Sequence, residues 1–111
     1  MPQERRRTLR FPFDAQAEVS RENSEARLSM RVTEISLNGC YIETADPYPK
    51  GTGLFVKIFA EGSFFEAHAS VVYSRSNSGM GVAFRELKPY FVNVLKKWLL
   101  AAMLSKQKPP G

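Results

Sequence analysis

Residues 65–84 read FEAHASVVYSRSNSGMGVAF. Apolar side chains fall on alternate positions, Phe65, Ala67, Ala69, Val71 and Tyr73, and resume after residues 76–79 at Met80, Val82 and Phe84. A period of two sends successive side chains to opposite faces of an extended chain, so each run predicts a strand with one buried face. The short polar link between them predicts antiparallel pairing, because a parallel partner requires a long crossover.

The same period extends back towards the N-terminus. Leu54, Val56 and Ile58 predict a strand closed by a Glu61-Gly62 turn, and Cys40, Ile42 and Thr44 another, ahead of the loop ADPYPKGTG. Leu28, Met30 and Val32 alternate too, but the next apolar residues, Ile35 and Leu37, fall out of phase, which predicts a bulge near Thr33 and Glu34. Asn38-Gly39 reads as a tight turn of two residues that tolerate positive φ. The first run is Phe11, Phe13, Ala15, Ala17 and Val19, with Pro12 near the strand start, where a missing N–H is tolerated. Towards the C-terminus the period changes. Pro89 suits a first helical turn, and Phe91, Val94, Leu95, Trp98 and Ala102 follow helical spacing, which predicts a helix over about residues 90–104. Six short strands without intervening helices predict an antiparallel barrel or sandwich, with the helix covering one end or edge.

Composition is consistent with one domain. The chain has 111 residues, 43% of them hydrophobic, and eight Phe to fill an interior. No apolar run is long enough to span a bilayer, and the basic N-terminus lacks the apolar stretch of a secretory signal. The single cysteine, Cys40, excludes an internal disulfide and gives no metal framework, which predicts a cytoplasmic protein. The net charge is +5, yet residues 1–10 carry +3, residues 96–111 carry +4, and residues 11–95 carry −2. A nucleic-acid polymer binder spreads its cations over the folded face that tracks phosphates, so a basic arm on an acidic body argues against that class.

Two short motifs flank the first two strands. Residues 6–10, RRTLR, form R-x-x-x-R directly before the first strand. Residues 34–39, EISLNG, form an acidic-x-S-x-x-G motif between the second and third. In this order, with this strand count and the G-M-G-V-A-F of residues 79–84, the chain resembles the PilZ domain, the bacterial receptor module for cyclic di-GMP, over nearly its whole length. The resemblance implies a six-stranded antiparallel β-barrel, mainly all-β, with a C-terminal α-helix. It divides the chain into a flexible arm (1–10), a barrel with its helix (11–104) and a disordered tail (105–111). It also implies a small receptor that binds cyclic di-GMP and passes the signal to a protein partner, with Arg5, Arg6, Arg10, Glu34, Ser36, Asn38 and Gly39 as the binding residues. The family usually carries Asp or Asn where this chain has Glu34, so the affinity is expected to be reduced.

Side-chain chemistry fits that expectation. Arginine forks onto the O6/N7 edge of guanine, binds phosphate oxygens and stacks on purines, whereas lysine supplies only charge. A Glu34 carboxylate accepts from guanine N1–H and N2–H, Ser36 donates to a phosphate or base, and Gly39 admits close backbone approach. Each has a plainer reading beside it: a solvated basic arm, a turn hydroxyl bonded to nearby backbone, a turn glycine, and a Glu34 paired with an arm arginine without ligand. His68 has no second ligand near it for a metal, Cys40 lies on an apolar parity, and no catalytic constellation points to an enzyme or a cofactor. Two other classes stand against the receptor. One is a ligand-free PilZ-like interaction module, or a homodimer, using Val92, Leu99, Leu100, Met103 and Leu104 of the helix. The other is a single-strand nucleic-acid binder on a small barrel.

Overall fold

A computed structural model describes residues 10–106. Six strands, β1 (Phe11–Arg21), β2 (Leu28–Ile35), β3 (Gly39–Glu43), β4 (Gly53–Ala60), β5 (Ser63–Arg75) and β6 (Gly79–Arg85), are followed by one helix, α1 (Pro89–Lys106). They close into a barrel in the order β1-β2-β3-β6-β5-β4, with β4 returning to β1. Every pairing is antiparallel. Closure leaves no free sheet edge, so each strand buries one face in a shared interior. Val19, Val32, Ile35, Ile42, Leu54, Val56, Ile58, Phe65, Ala69 and Met80 are fully shielded from solvent.

All six predicted strands form, with one or both ends of each shifted. The helix runs through Ser105 and Lys106, which the sequence reading assigned to the tail. Residues 1–9 and 107–111, the remainder of the predicted arm and tail, lie outside the described residues.

Two departures from strict alternation position the outer surface. Val32 pairs with Ile42 and Glu34 with Tyr41, so Thr33 is the extra residue of a bulge in β2, which therefore continues past the predicted bend to Ile35. On β5, Val71 pairs with Val82 and Tyr73 with Gly81, leaving Val72 as the extra residue. One inserted residue flips every following side chain to the other face. Tyr73, which the period-two reading placed with the core, is thereby turned outward. The Asn38-Gly39 expectation also needs correction, because neither residue has positive φ. The left-handed backbone sits in other turns, at Glu61 (φ 51°), Gly62 (φ 76°) and Asn77 (φ 61°).

Helix α1 seals one end of the barrel. Phe91, Val94, Leu95 and Trp98, spaced i, i+3, i+4, i+7, form its buried stripe. Phe65 lies between the ring of Phe84 at 4.8 Å and those of Phe91 and Trp98 at 6.1 and 6.3 Å, while Phe13 meets Trp98 at 5.4 Å. Of the helix residues predicted to form a second apolar face, Leu100, Met103 and Leu104 are exposed, whereas Leu99 packs against the core and Val92 is half-buried.

Two outcomes test this packing. Trp98→Ala should cost about 3–5 kcal/mol of stability, as expected for deleting a large core aromatic. Leu100→Ala should change it by less than about 0.5 kcal/mol, both read from urea unfolding midpoints. Burial pushes the Cys40 thiol from 9.0 up to about 12. It should therefore resist an aromatic disulfide reagent at pH 8 until the protein unfolds. Because the folded pKa is the higher one, stability should fall as pH rises from about 9 towards 12.

Candidate functional site

The loop between β2 and β3 is held by one hydroxyl. Ser36 is buried, at 8% exposure, and its Oγ accepts from the backbone N–H of Asn38 at 3.2 Å and of Gly39 at 3.1 Å. The same hydroxyl donates to the Gly39 carbonyl at 3.2 Å, which also accepts from the Ser36 N–H at 2.8 Å. These contacts are those of the turn-hydroxyl reading, and they make Ser36 the organiser of the motif. Asn38 is exposed, and its carbonyl accepts from the Phe84 N–H at 2.8 Å, tying the loop to β6.

Gly39 is required by close approach. A Cβ at this position would lie 2.0 Å from the Val82 carbonyl oxygen of β6. The residue thus lets two backbones pass one another, a different use of the missing side chain from the ligand approach expected from sequence. Backbone atoms cannot swing aside, so Gly39→Ala should cost about 1–3 kcal/mol as an overpacked site. Ser36→Ala, which removes an acceptor shared by two N–H groups, should cost a similar amount. Thermal unfolding of both variants checks this.

Beside the loop, Arg10 reaches across from the start of β1 to Glu34 on β2. Its guanidinium donates to the Glu34 carboxylate at 3.1 Å, and both side chains remain partly exposed, at 38% and 46%. The Tyr73 side chain also lies beside the guanidinium and interacts with it. These contacts, Glu34 first and Tyr73 second, hold the guanidinium pKa above its ordinary value, so Arg10 is a fixed cation. The two motifs, 24 residues apart at this pair, therefore meet in space, and the bulge at Thr33 is what aims Glu34 outward to allow it. Of the remaining candidates, Arg5 and Arg6 lie outside the described residues.

Two rings complete the surface and were not singled out from sequence. Tyr41 and Tyr73 stack 6.1 Å apart on the outer face of β3, β6 and β5. Tyr73 fills the space beside Gly81, where a Cβ would come within 2.4 Å of the ring, and Tyr41 does the same at Gly79, within 2.8 Å. The Tyr41 hydroxyl meets Ser78 Oγ at 2.8 Å. The sequence signal was present in G-M-G: two glycines on the outward parity of a strand leave room for rings from neighbouring strands.

His68 lies against a carboxylate. Its Nδ1 lies 2.8 Å from Glu22, whose carboxylate is also bound by Arg85, and these contacts hold the Glu22 pKa below the usual carboxylate value, His68 first. Among the described residues no cluster of His, Cys, Asp or Glu has the makings of a metal site. None of the described helices is long and apolar enough to cross a membrane.

Residues 4–101 match the family model described as PilZ domain. The inhibitor of motility MotI/DgrA of Bacillus subtilis superposes with a TM-score of 0.77 at 17% identity, over 97% of this chain and 59% of that one. The PilZ domain of YcgR from Escherichia coli, solved with c-di-GMP, superposes with a TM-score of 0.75 at 15% identity, over 94% of this chain and 95% of that one. MrkH of K. pneumonia in its apo state gives 0.75 at 19% identity, over 96% and 54%. The chain thus spans little more than half of the motility inhibitor and of MrkH. At these identities the likeness establishes the fold alone. No curated protein sequence matches the chain.

Proposed function

The chain belongs to the PilZ domain family, and from that premise we propose that it is a receptor for cyclic di-GMP that passes its state to a protein partner in the cytoplasm. The observation that carries this reading is the Arg10–Glu34 pair at 3.1 Å, which unites the two sequence motifs on one outer face. The YcgR PilZ domain in complex with c-di-GMP supports the ligand class.

In this reading Arg10 presents its planar fork to a guanine O6/N7 edge or a phosphate, and Arg5 and Arg6 of the arm add further contacts. Glu34 accepts from guanine N1–H and N2–H, while the Ser36 loop, with Asn38 and Gly39, supplies the rigid floor. An ion pair this exposed contributes little to stability, so Arg10 and Glu34 exchange partners for a ligand at small cost. The site binds and releases, and the signal leaves through a partner. The exposed Leu100, Met103 and Leu104 of α1 favour a second reading, a module that engages protein alone, as a heteromer or homodimer.

Calorimetry with cyclic di-GMP separates the two and reads whether one ligand or a stacked pair binds. The receptor gives saturable heat, and Arg6→Ala and Arg10→Ala each cost about 1–3 kcal/mol, the range of a bidentate base contact, while Lys108→Ala costs almost nothing. Glu34→Ala weakens binding. Glu34→Asp, which restores the shorter family carboxylate, tightens it. Absence of heat with the parent and with Glu34→Asp would transfer the assignment to the protein-only module.

A further inference from the structure

We propose that the outer face of α1, with the groove beside it, is a docking surface for an acidic amphipathic segment of the partner protein. Its purpose rests on the receptor reading, which requires a partner; the binding itself does not. Phe91, Val94, Leu95 and Trp98 seal the barrel, and the other side of the helix carries large apolar side chains open to solvent. Leu100 is 53% exposed, Leu104 59% and Met103 37%. Folding gains nothing from holding them there, whereas association does. Lysine sets the chemistry of what covers them. Lys96, Leu100 and Leu104 follow one another at i, i+4 and i+8, and Lys97 precedes Leu100 by three residues, so all four share one face. Both lysines are exposed, and among the described residues neither is ion-paired. Helix α1 contains no Asp or Glu, so its outer face runs from positive at mid-helix to apolar towards the C-terminus.

The groove adds a concave flank. It lies between α1 and the β4–β5 turn, with a volume of about 810 Å³, and has Tyr90, Lys97 and Ala101 on the helix side and Glu61 and Ser63 opposite. Its lining sets Lys96 and Lys97 against a single acid, Glu61, so the groove is net positive as well. Lys97 belongs to both parts and joins them into one surface. Three kinds of occupant suit an apolar face, and charge separates them. A second copy laid helix to helix brings more lysines and no acid from the facing helix. An anionic bilayer attracts the lysines but repels the net −2 of residues 11–95. A segment with an apolar stripe bordered by Asp or Glu covers Leu100, Met103 and Leu104, neutralises both lysines, and reaches no further than α1 and its groove.

The test uses the full chain without nucleotide and a fluorescein-labelled amphipathic peptide of leucine, alanine and glutamate. Two peptides of equal length serve as controls, one with lysine at every glutamate position and one with the acidic sequence shuffled. Anisotropy should saturate with the acidic peptide, about tenfold tighter than with either control, and the affinity should fall as salt is raised. Lys96→Glu and Lys97→Glu should each weaken it about fivefold or more, and Leu100→Ser combined with Leu104→Ser about tenfold. Lys50→Glu, which reverses an exposed cation elsewhere, should stay within about twofold of the parent. Every substituted side chain is exposed, so the variants should keep the parent circular dichroism spectrum. Equal binding of the acidic and lysine peptides, or equal binding by the parent, Lys96→Glu and Lys97→Glu, would overturn the docking surface and leave the receptor reading intact. A parent dimer in sedimentation velocity that Leu100→Ser with Leu104→Ser abolishes would overturn it in favour of a second copy. Co-sedimentation with phosphatidylglycerol vesicles, without saturable peptide binding, would overturn it in favour of a membrane. A parent that takes the peptide but gives no heat with cyclic di-GMP would keep the docking surface and overturn the receptor reading.

Discussion

Closure of the barrel is the constraint on which the rest of the molecule depends. Once β4 returns to β1, every strand position is assigned to the inside or the outside, and no edge remains on which register can slip. An interior filled by Phe65, Ile35, Ile42, Leu54, Ile58 and Met80 cannot host a polar site, so recognition is confined to the outer face. Within such a frame the cheapest way to change what a surface presents is one extra residue in one strand. The bulges at Thr33 and Val72 do this on either side of β3 and β6, and together they bring Glu34 and Tyr73 towards Arg10.

Rigidity and exchangeability are divided between neighbouring parts of this face. The Ser36 loop is stiff, because a buried hydroxyl satisfies two backbone N–H groups and a glycine holds the loop against Val82 with no room to spare. The Arg10–Glu34 pair is the opposite, partly exposed on both sides and held by contacts that water or a ligand replaces readily. In the proposed receptor this division keeps the framework fixed while the charged groups change partners.

Helix α1 gives the molecule a second kind of surface. Its aromatic stripe seals the core through Phe91 and Trp98, while Leu100, Met103 and Leu104 on the turns beyond face outward. Glu34 and the tyrosine pair sit on the strands and Arg10 directly before the first of them, so this polar face and the apolar helix surface are built from separate elements of one closed core.

Much of this was legible in the residues. The period-two runs, the shift to helical spacing after Pro89 and the phase break near Thr33 follow directly from which positions are apolar, because burial on one face leaves that pattern in any strand or helix. The motif residues Arg10, Glu34, Ser36 and Gly39 were likewise visible as candidates. Sequence alone left open how each is used: that Ser36 spends its hydroxyl on the loop, that Gly39 faces a carbonyl rather than open space, and that Asn38-Gly39 turns without positive φ. It also misplaced Tyr73, whose position continues the core alternation of β5. Only strand pairing shows that Val72 has no partner on β6, and pairing is a property of two segments brought together by the closed barrel, which no local pattern in either one records.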